Sequence, residues 1–354
     1  MRFLFILLCF FLVSTPALIG QNGGRSVFPV LQFAPSARVT GLGGTLITVS
    51  DGDLSLAAIN PALLDSQMHQ ALTFNHRFHP GGIGYSHFAY SHHTQRSGMT
   101  WQFGIQHAGY GEFEGLDEFQ NPLGPVNASE TALYFGMSTP LYERLTIGAN
   151  LRMVNSVMGS YTSWGLAGDV GAWYHSDEDR LSIGLVFRNA GTQLTTYVPG
   201  NRESMPLDIQ LGLSQRLKYL PFRFSVTATN LQRWNLVFDN PNAVENTPLF
   251  GDEEDPSGQS AFGRQVDNFF RHLIFSGEFL FGQNENLRLR VAYNHLRRQE
   301  LTVRDLRSLT GFSLGFGIKL ARFRVGFGHE FFHLAGGATH FTFSTSFREF
   351  RQSR

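Results

Sequence analysis

The chain is an all-β transmembrane antiparallel barrel of about fourteen strands by its sequence, and three observations point there. Bulky apolar residues alternate with small or polar ones in run after run: Phe312, Leu314, Phe316, Ile318 and Leu320 against Ser313, Gly315, Gly317 and Lys319; then Phe323, Val325 and Phe327 against Arg324, Gly326 and Gly328; then Phe341, Phe343, Thr345 and Phe347 against His340, Thr342, Ser344 and Ser346. A period of two means strand, with one face apolar and the other fit for water. The composition suits bulky outward and small inward positions, with 34 Phe and 38 Gly. Although 42% of residues are hydrophobic, no segment beyond the N-terminus approaches the eighteen or so apolar residues of a membrane helix. So many phenylalanines on one strand face are costly in water, and a closed barrel in lipid, apolar outside and polar inside, resolves the conflict.

The elements follow in order. Residues 1–20 read MRFLFILLCFFLVSTPALIG, with Arg2 as a positive start, Phe3 to Val13 as an apolar run, and Ala17 or Gly20 as a small residue for cleavage. This is the pattern of a secretory signal peptide. Residues 21–69 are rich in Gly, Pro and Ala, with one strand-like run at Thr45 to Val49 and a helical turn expected around Pro61. The block is small for a domain but long enough to fill a barrel lumen as a plug. Residues 70–350 form the barrel, with strands expected near 70–76, 82–92, 98–108, 128–139, 143–154, 164–175, 179–190, 206–216, 221–230, 270–282, 286–296, 310–320, 321–330 and 338–348. Tight turns fall on one rim, at Tyr142-Glu143, Ser176-Asp177-Glu178 and Gly282-Gln283-Asn284, and longer segments, 109–127, 191–205 and 297–309, on the other. That asymmetry matches periplasmic turns and extracellular loops. Trp101, Tyr134, Trp164, Trp173 and Tyr174 are expected in interfacial girdles.

The largest interruption is a surface loop, 231–269, which carries the acidic run Asp252-Glu253-Glu254-Asp255, read as a solvated stretch. Trp234, Phe238, Phe269 and Arg271 in and beside it are of the residue types that dock partner proteins, and equally of the types that pack a loop onto a rim.

Charge and cysteine content exclude several classes. The chain has 28 basic and 28 acidic residues, so no field favours nucleic acid. Its one cysteine, Cys9, lies in the signal segment, which removes disulfides, thiol catalysis and cysteine-bound metal from consideration. His329-Glu330-Phe331-Phe332-His333 spells the zinc-peptidase H-E-x-x-H, with Gly336 and His340 beyond it. That chemistry needs a helix, where residues four apart rise about 6 Å and share a face. In a strand they sit about 13 Å apart, too far for one ion. The preceding RFRVGFG alternates, so a strand is expected and no metal or other cofactor. His76, His79, His87, His92, His93 and His107 are read as polar groups lining the lumen rather than a metal site. The Gly-x-Gly fragments at Gly41 and Gly315 lack the helix and G-K-S/T ending of a phosphate loop, Ser97, Ser163 and Ser276 do not sit in G-x-S-x-G, and the chain is read as no enzyme.

The N-terminal block carries a resemblance. Gly23 to Phe28 reads GGRSVF, followed by Ala37-Arg38, Gly41-Leu42-Gly43-Gly44, the pair Asp51 and Asp53, and Ala58-Ile59-Asn60-Pro61-Ala62-Leu63-Leu64. In this order the block resembles the PorV/PorQ outer-membrane proteins of the type IX secretion system, most of all PorQ, which are themselves similar to FadL transporters. The resemblance implies a fourteen-stranded barrel with an N-terminal plug, in the outer membrane of Bacteroidetes-type bacteria. It further implies a surface protein of the PorZ type as partner, near the sortase-bearing attachment complex, with a role in export or attachment of cargo. A FadL-like passive transporter of hydrophobic molecules is the alternative; it needs an apolar pocket beside the plug and a kinked strand, for which Gly109 to Gly124 is irregular enough. From the residues themselves, Gly41, Gly43 and Gly44 suit tight turns and close backbone approach, and Asn60-Pro61 fixes a turn whose Asn can bond unpaired backbone. Arg38 can pair with Asp51 or Asp53 against the lumen wall, or either acid can face water.

Overall fold

The computed structural model describes residues 26–116, 119, 121–176, 180–237, 261–282, 285–302, 308–333 and 336–351. Fourteen antiparallel strands pair in sequence order, and the last closes on the first: β1 Ala71–Phe78, β2 Gly84–Thr94, β3 Met99–Leu116, β4 Pro122–Tyr142, β5 Leu145–Met158, β6 Tyr161–His175, β7 Leu181–Thr195, β8 Asp208–Arg216, β9 Phe222–Ala228, β10 Leu273–Phe281, β11 Leu287–Asn294, β12 Phe312–Leu320, β13 Phe323–His333 and β14 Gly336–Ser346. Closure leaves no sheet edge to satisfy in lipid. β14 pairs with β1 from Ala71↔Ser346 to Phe78↔Thr339.

Alternation sets the two faces. Phe74, Phe103, Phe135, Leu151, Leu185, Phe279, Phe316 and Phe343 point outward and are exposed, whereas Gln102, Arg152, Asp169, Glu278 and Ser313 point inward and are buried. The connectors at one rim, 95–98, 143–144, 176–180, 217–221, 282–286 and 321–322, have five residues or fewer. The opposite rim, here the far rim, carries the long segments 196–207, 229–272 and 295–311.

Several sequence expectations need correction. Segment 109–127 is mostly strand, because β3 and β4 keep pairing up to Leu116↔Pro122, with register shifts after Gly109 and Gly115. Likewise β7 runs on to Thr195, which shortens the expected 191–205 loop to 196–207. Thr45 to Val49 is not a strand; its carbonyls are taken by side chains, Ile47 O by Asn60 Nδ2 at 2.8 Å and Thr48 O by Trp173 Nε1 at 2.6 Å. Tyr134 and Trp173 are not in a girdle. Parity on β4 puts Leu133 and Phe135 outside and Tyr134 inside, 1% exposed, and Trp173 likewise faces in. Trp164 and Tyr174 do face outward. The 231–269 loop contains part of a helix, α3 Ala261–Arg271, and a further helix, α4 His295–Leu301, opens the 295–311 segment behind its N-cap Asn294. The short helices are α1 Ala37–Gly41, α2 Leu54–Ala57 and, after β14, α5 Phe347–Arg351.

Residues 26–70 run inside the ring. Their backbone is met by side chains from strands all round it: Val30 N donates to Glu130 on β4 at 2.8 Å, Leu31 O accepts from Arg188 on β7 at 3.2 Å, and Ala37 N donates to Thr342 on β14 at 2.9 Å. Gly43 O accepts from Asn294 on β11 at 3.2 Å, Ala57 O from Gln102 on β3 at 2.9 Å, and Leu64 O from Ser138 on β4 at 2.7 Å. These bonds explain how an irregular chain is tolerated in a buried place, since its polar groups find partners without a ladder. Apolar residues of the same segment form three buried clusters, around Val39 and Ile47, around Phe28 and Leu31, and around Leu54 and Leu64.

Candidate functional site inside the barrel

Arg38 is the hub of the interior. It sits on α1, whose N-cap Ser36 accepts from Val39 N at 3.4 Å, and is 3% exposed. Its guanidinium donates to both oxygens of Asp51 at 2.7 and 2.9 Å, to Asp53 at 3.2 Å, and to both oxygens of Glu278 on β10 at 3.0 and 2.9 Å. The planar fork of arginine allows this many carboxylate bonds at once. Arg288 reaches Asp51 at 2.8 Å, and Arg223 and Arg290 reach Glu278 at 3.2 and 3.1 Å. Four guanidiniums thus share three carboxylates. Burial pushes the Asp51 carboxyl up, but Arg288 and Arg38 outweigh it and hold Asp51 well below the usual carboxylate range. Asp53 also caps α2, accepting from Ser55 N at 3.1 Å. Both open options for Arg38 therefore resolve to pairing, with Glu278 as the third partner that the sequence reading did not name.

The Asn60-Pro61 turn has a seat. Gly148 on β5 and Gly171 on β6 are cross-strand partners. A Cβ on Gly148 would lie 2.5 Å from Pro61 C, and one on Gly171 would lie 2.0 Å from Asn60 Oδ1. That oxygen accepts from Ala62 N at 3.1 Å, which starts the turn Pro61–Leu63. Gly41 packs backbone to backbone on Gly315 of β12, where a Cβ would stand 3.1 Å from Gly315 Cα. Gly43 and Gly44 turn the chain at φ 85° and 102°.

A second set of charges lies nearer the far rim. Glu330 on β13 is buried between Arg77, at 3.0 Å, and Arg297 on α4. This is the glutamate of the H-E-x-x-H run. The run lies in β13, with His329 facing Thr339 at 2.9 Å, so the helix that zinc chemistry requires is not formed. The lumen expectation for the N-terminal histidines holds for His87, which contacts Pro35 O, Asn75 and Tyr134 inside, but needs correction for His76, His92 and His107: strand parity puts them on the outer face with Phe74, Phe88 and Phe103, where His76 bonds Ser86 and His107 bonds Thr131. Among the described residues no group of three His, Cys, Asp or Glu side chains could hold a metal ion. A third buried pair, Arg152–Asp169 at 2.7 Å, also passed unnoticed in the sequence. Its signal was available, because a charged residue at an inward slot of a predicted strand must find a partner in the lumen.

Of the residues proposed for docking, Trp234 is 64% exposed, with its ring stacked on His272 at 5.3 Å. Phe269 is exposed on α3. Arg271 is turned inward to Asp267 at 2.7 Å, which weakens its place in an outward docking surface. Phe238, the acidic run 252–255 and residues 1–20, where a signal peptide is expected, lie outside the described residues.

Beside β3 the wall changes character. The β2–β3 ladder stops at Gly84↔Gly109, while β3 continues to Leu116, paired among the described residues with β4 alone. Gly111 there has φ 84°, and Tyr110 Oη donates to Glu130 at 2.7 Å. Tyr110, where the ladder stops, packs on the apolar cluster of Phe28, Val30 and Leu31 with Tyr85, Ala108, Ala132, Val154 and Ala167, which Phe33, Tyr197 and Met205 also flank.

No protein-family profile and no curated protein matches the sequence. Solved structures do match. The CymD monoaromatic hydrocarbon channel superposes with a TM-score of 0.52 at 14% identity, over 91% of this chain and 99% of that one. The toluene transporter TodX of Pseudomonas putida aligns over 90% and 98% at 11% identity and a TM-score of 0.49. A FadL homologue of Pseudomonas aeruginosa aligns over 92% and 98% at 11% identity and a TM-score of 0.43. At such identities the likeness shows the fold alone: the chain is a closed 14-strand antiparallel barrel whose fold is similar to that of the CymD channel.

Proposed function

We propose that this protein sits in the outer membrane and passes small hydrophobic molecules through its wall beside β3, with residues 26–70 as the plug. The observation that carries the reading is the edge of Tyr110–Leu116, which lacks a second strand partner among the described residues and begins at Tyr110 on a buried apolar cluster. The straight route along the axis is closed by the inner segment and its charge network, so an apolar solute has the cluster at Phe28 as the nearest compatible environment. The resemblance in fold to a hydrocarbon channel supports the reading. The test is uptake of radiolabelled toluene or long-chain fatty acid by cells whose outer membrane has no other channel of this fold. Uptake above empty-vector cells, lost on deletion of Tyr110 and Gly111 in a barrel that still inserts, is expected. Wild-type uptake equal to the empty vector refutes it.

A second reading follows the PorQ resemblance, in which the barrel anchors a PorZ-type surface protein beside the sortase-bearing complex of type IX secretion. Exposed Trp234 at the far rim favours it. Pulldown from native outer membrane, with and without residues 239–259, tests it, and equal recovery of surface proteins from both would count against docking by this loop.

A further inference from the structure

Helix α3 is inside-out. Phe262, Val266 and Phe269 fall on one face at spacings of four and three and are 75%, 38% and 47% exposed. The polar face is the one that packs on the protein. Asn268 is buried, accepting from Leu236 N at 2.8 Å and donating to Trp234 O at 2.7 Å. Asp267 accepts from Arg271 at 2.7 Å and lies 2.8 Å from His295 Nε2. A surface helix of a protein in water turns its apolar stripe to the core and its charges outward. This one does the opposite, and its docking bonds hold it in that pose.

The exposed stripe continues into the lipid-facing belt. Phe270, beside it on the helix, has its ring 5.8 Å from Phe269 and 6.4 Å from Phe275, the first outward phenylalanine of β10. His295, which holds Asp267, is itself 2.9 Å from the hydroxyl of Tyr293, an aromatic that packs on Phe312 at 5.0 Å at the upper edge of β11 and β12. Trp234 stands exposed next to the same lobe. A row of apolar rings from Phe275 through Phe270 to Phe269, edged by Trp and Tyr, fits the headgroup–acyl boundary of a membrane leaflet.

Resting on the membrane-barrel reading, we propose that α3 is an interfacial helix, lying flat at the far rim with Phe262, Val266 and Phe269 sunk into the leaflet. It covers about 16 Å of membrane surface at 1.5 Å per residue. The occupant of this face is lipid, which removes Phe269 from the surface offered to a protein partner.

The test is nitroxide scanning of the full chain in phosphatidylcholine–phosphatidylglycerol vesicles, in a Cys9→Ser background. Labels are placed one at a time at Phe262→Cys, Val266→Cys, Phe269→Cys and Arg264→Cys, with Leu151→Cys on the outer face of β5 as the belt reference. Collision with oxygen, which concentrates among acyl chains, is compared with collision with a water-soluble nickel chelate. The log ratio is expected positive at Leu151, Phe262, Val266 and Phe269 and negative at Arg264. A positive Leu151 with three negative stripe positions places the helix in water and overturns the interfacial helix alone. Stripe positions closed to both reagents place protein over them, from this chain or another copy, and overturn it equally. A negative Leu151 removes the membrane reading itself and the helix inference with it.

Discussion

Replacing Arg38 with Met is expected to destabilise the folded barrel by about 3 kcal/mol. The side chain makes five bonds to three carboxylates while almost wholly buried. Removing one member of a buried ion pair costs about 3–5 kcal/mol, because the partner is left charged in a poor solvent. Here the partners are not fully orphaned. Asp51 keeps Arg288 at 2.8 Å and Arg223 at 3.6 Å, and Glu278 keeps Arg223 and Arg290. The network also starts with one guanidinium more than it has carboxylates, so its loss leaves equal numbers. Both facts argue for the lower end of the range. Urea unfolding in lipid vesicles, followed by tryptophan fluorescence, measures the effect; Trp173 reports directly, since its Nε1 bonds Thr48 O in the inner segment. The double variant Arg38→Met/Asp51→Leu, set against the two single variants, isolates the pair from the packing of Arg38 itself. An Arg38→Met barrel within about 0.5 kcal/mol of wild type, the usual scatter of surface changes, would refute the reasoning.

Other outcomes follow from the same geometry. The Asp51 carboxyl is depressed in the folded state, so the stability it contributes is complete above its unfolded value of about 4 and is lost as pH falls below that toward its folded value; protease digestion of the inner segment in acid should begin at higher pH in Arg38→Met than in wild type. Gly148→Ala puts a methyl 2.5 Å from the Pro61 carbonyl carbon and should cost about 1–3 kcal/mol and loosen residues 45–64 to hydrogen exchange; unchanged exchange there would show that the glycine pair is no seat. Leu151→Arg, on the exposed outer face of β5, should lower stability in vesicles by about 2–4 kcal/mol, and an equal cost in detergent and lipid would contradict a lipid-facing position.

The strands were legible because alternation is imposed residue by residue: one side of each strand meets lipid and the other does not, so Phe312 to Leu320 could hardly be read otherwise. Strand ends were less so. Above the belt nothing requires an apolar outer face, and Glu112 to Leu116 pairs with β4 without an obvious pattern. Arg38 and its two aspartates were visible as a motif, yet Glu278, Arg223, Arg288 and Arg290 come from strands some 170 to 250 residues later in the chain, and only the closed ring brings them to one place. Helix α3 carried its spacing openly at Phe262, Val266 and Phe269, but Gly263 within it and a long polar approach masked the pattern.

The polar inward positions invite a reading as the lining of a water-filled pore, and the hydrogen bonds argue otherwise. Gln102, Ser138, Arg152 and Trp173 each donate to a backbone carbonyl of the inner segment, at Ala57, Leu64, Ala58 and Thr48. The lumen side chains thus serve an irregular chain that has no ladder of its own. An axial path would require breaking these bonds together with the Arg38 network, each at the cost of a buried group left unpaired. The wall beside β3 asks for less. There the edge of Tyr110–Leu116 already lacks a strand partner on one side among the described residues, and Tyr110 packs on the cluster of Phe28, Val30 and Leu31, whose displacement breaks the Val30 N–Glu130 and Leu31 O–Arg188 bonds but leaves the Arg38 network whole. A lateral route for an apolar solute is therefore the lesser rearrangement, and the solute itself would fill the space that the displaced side chains leave.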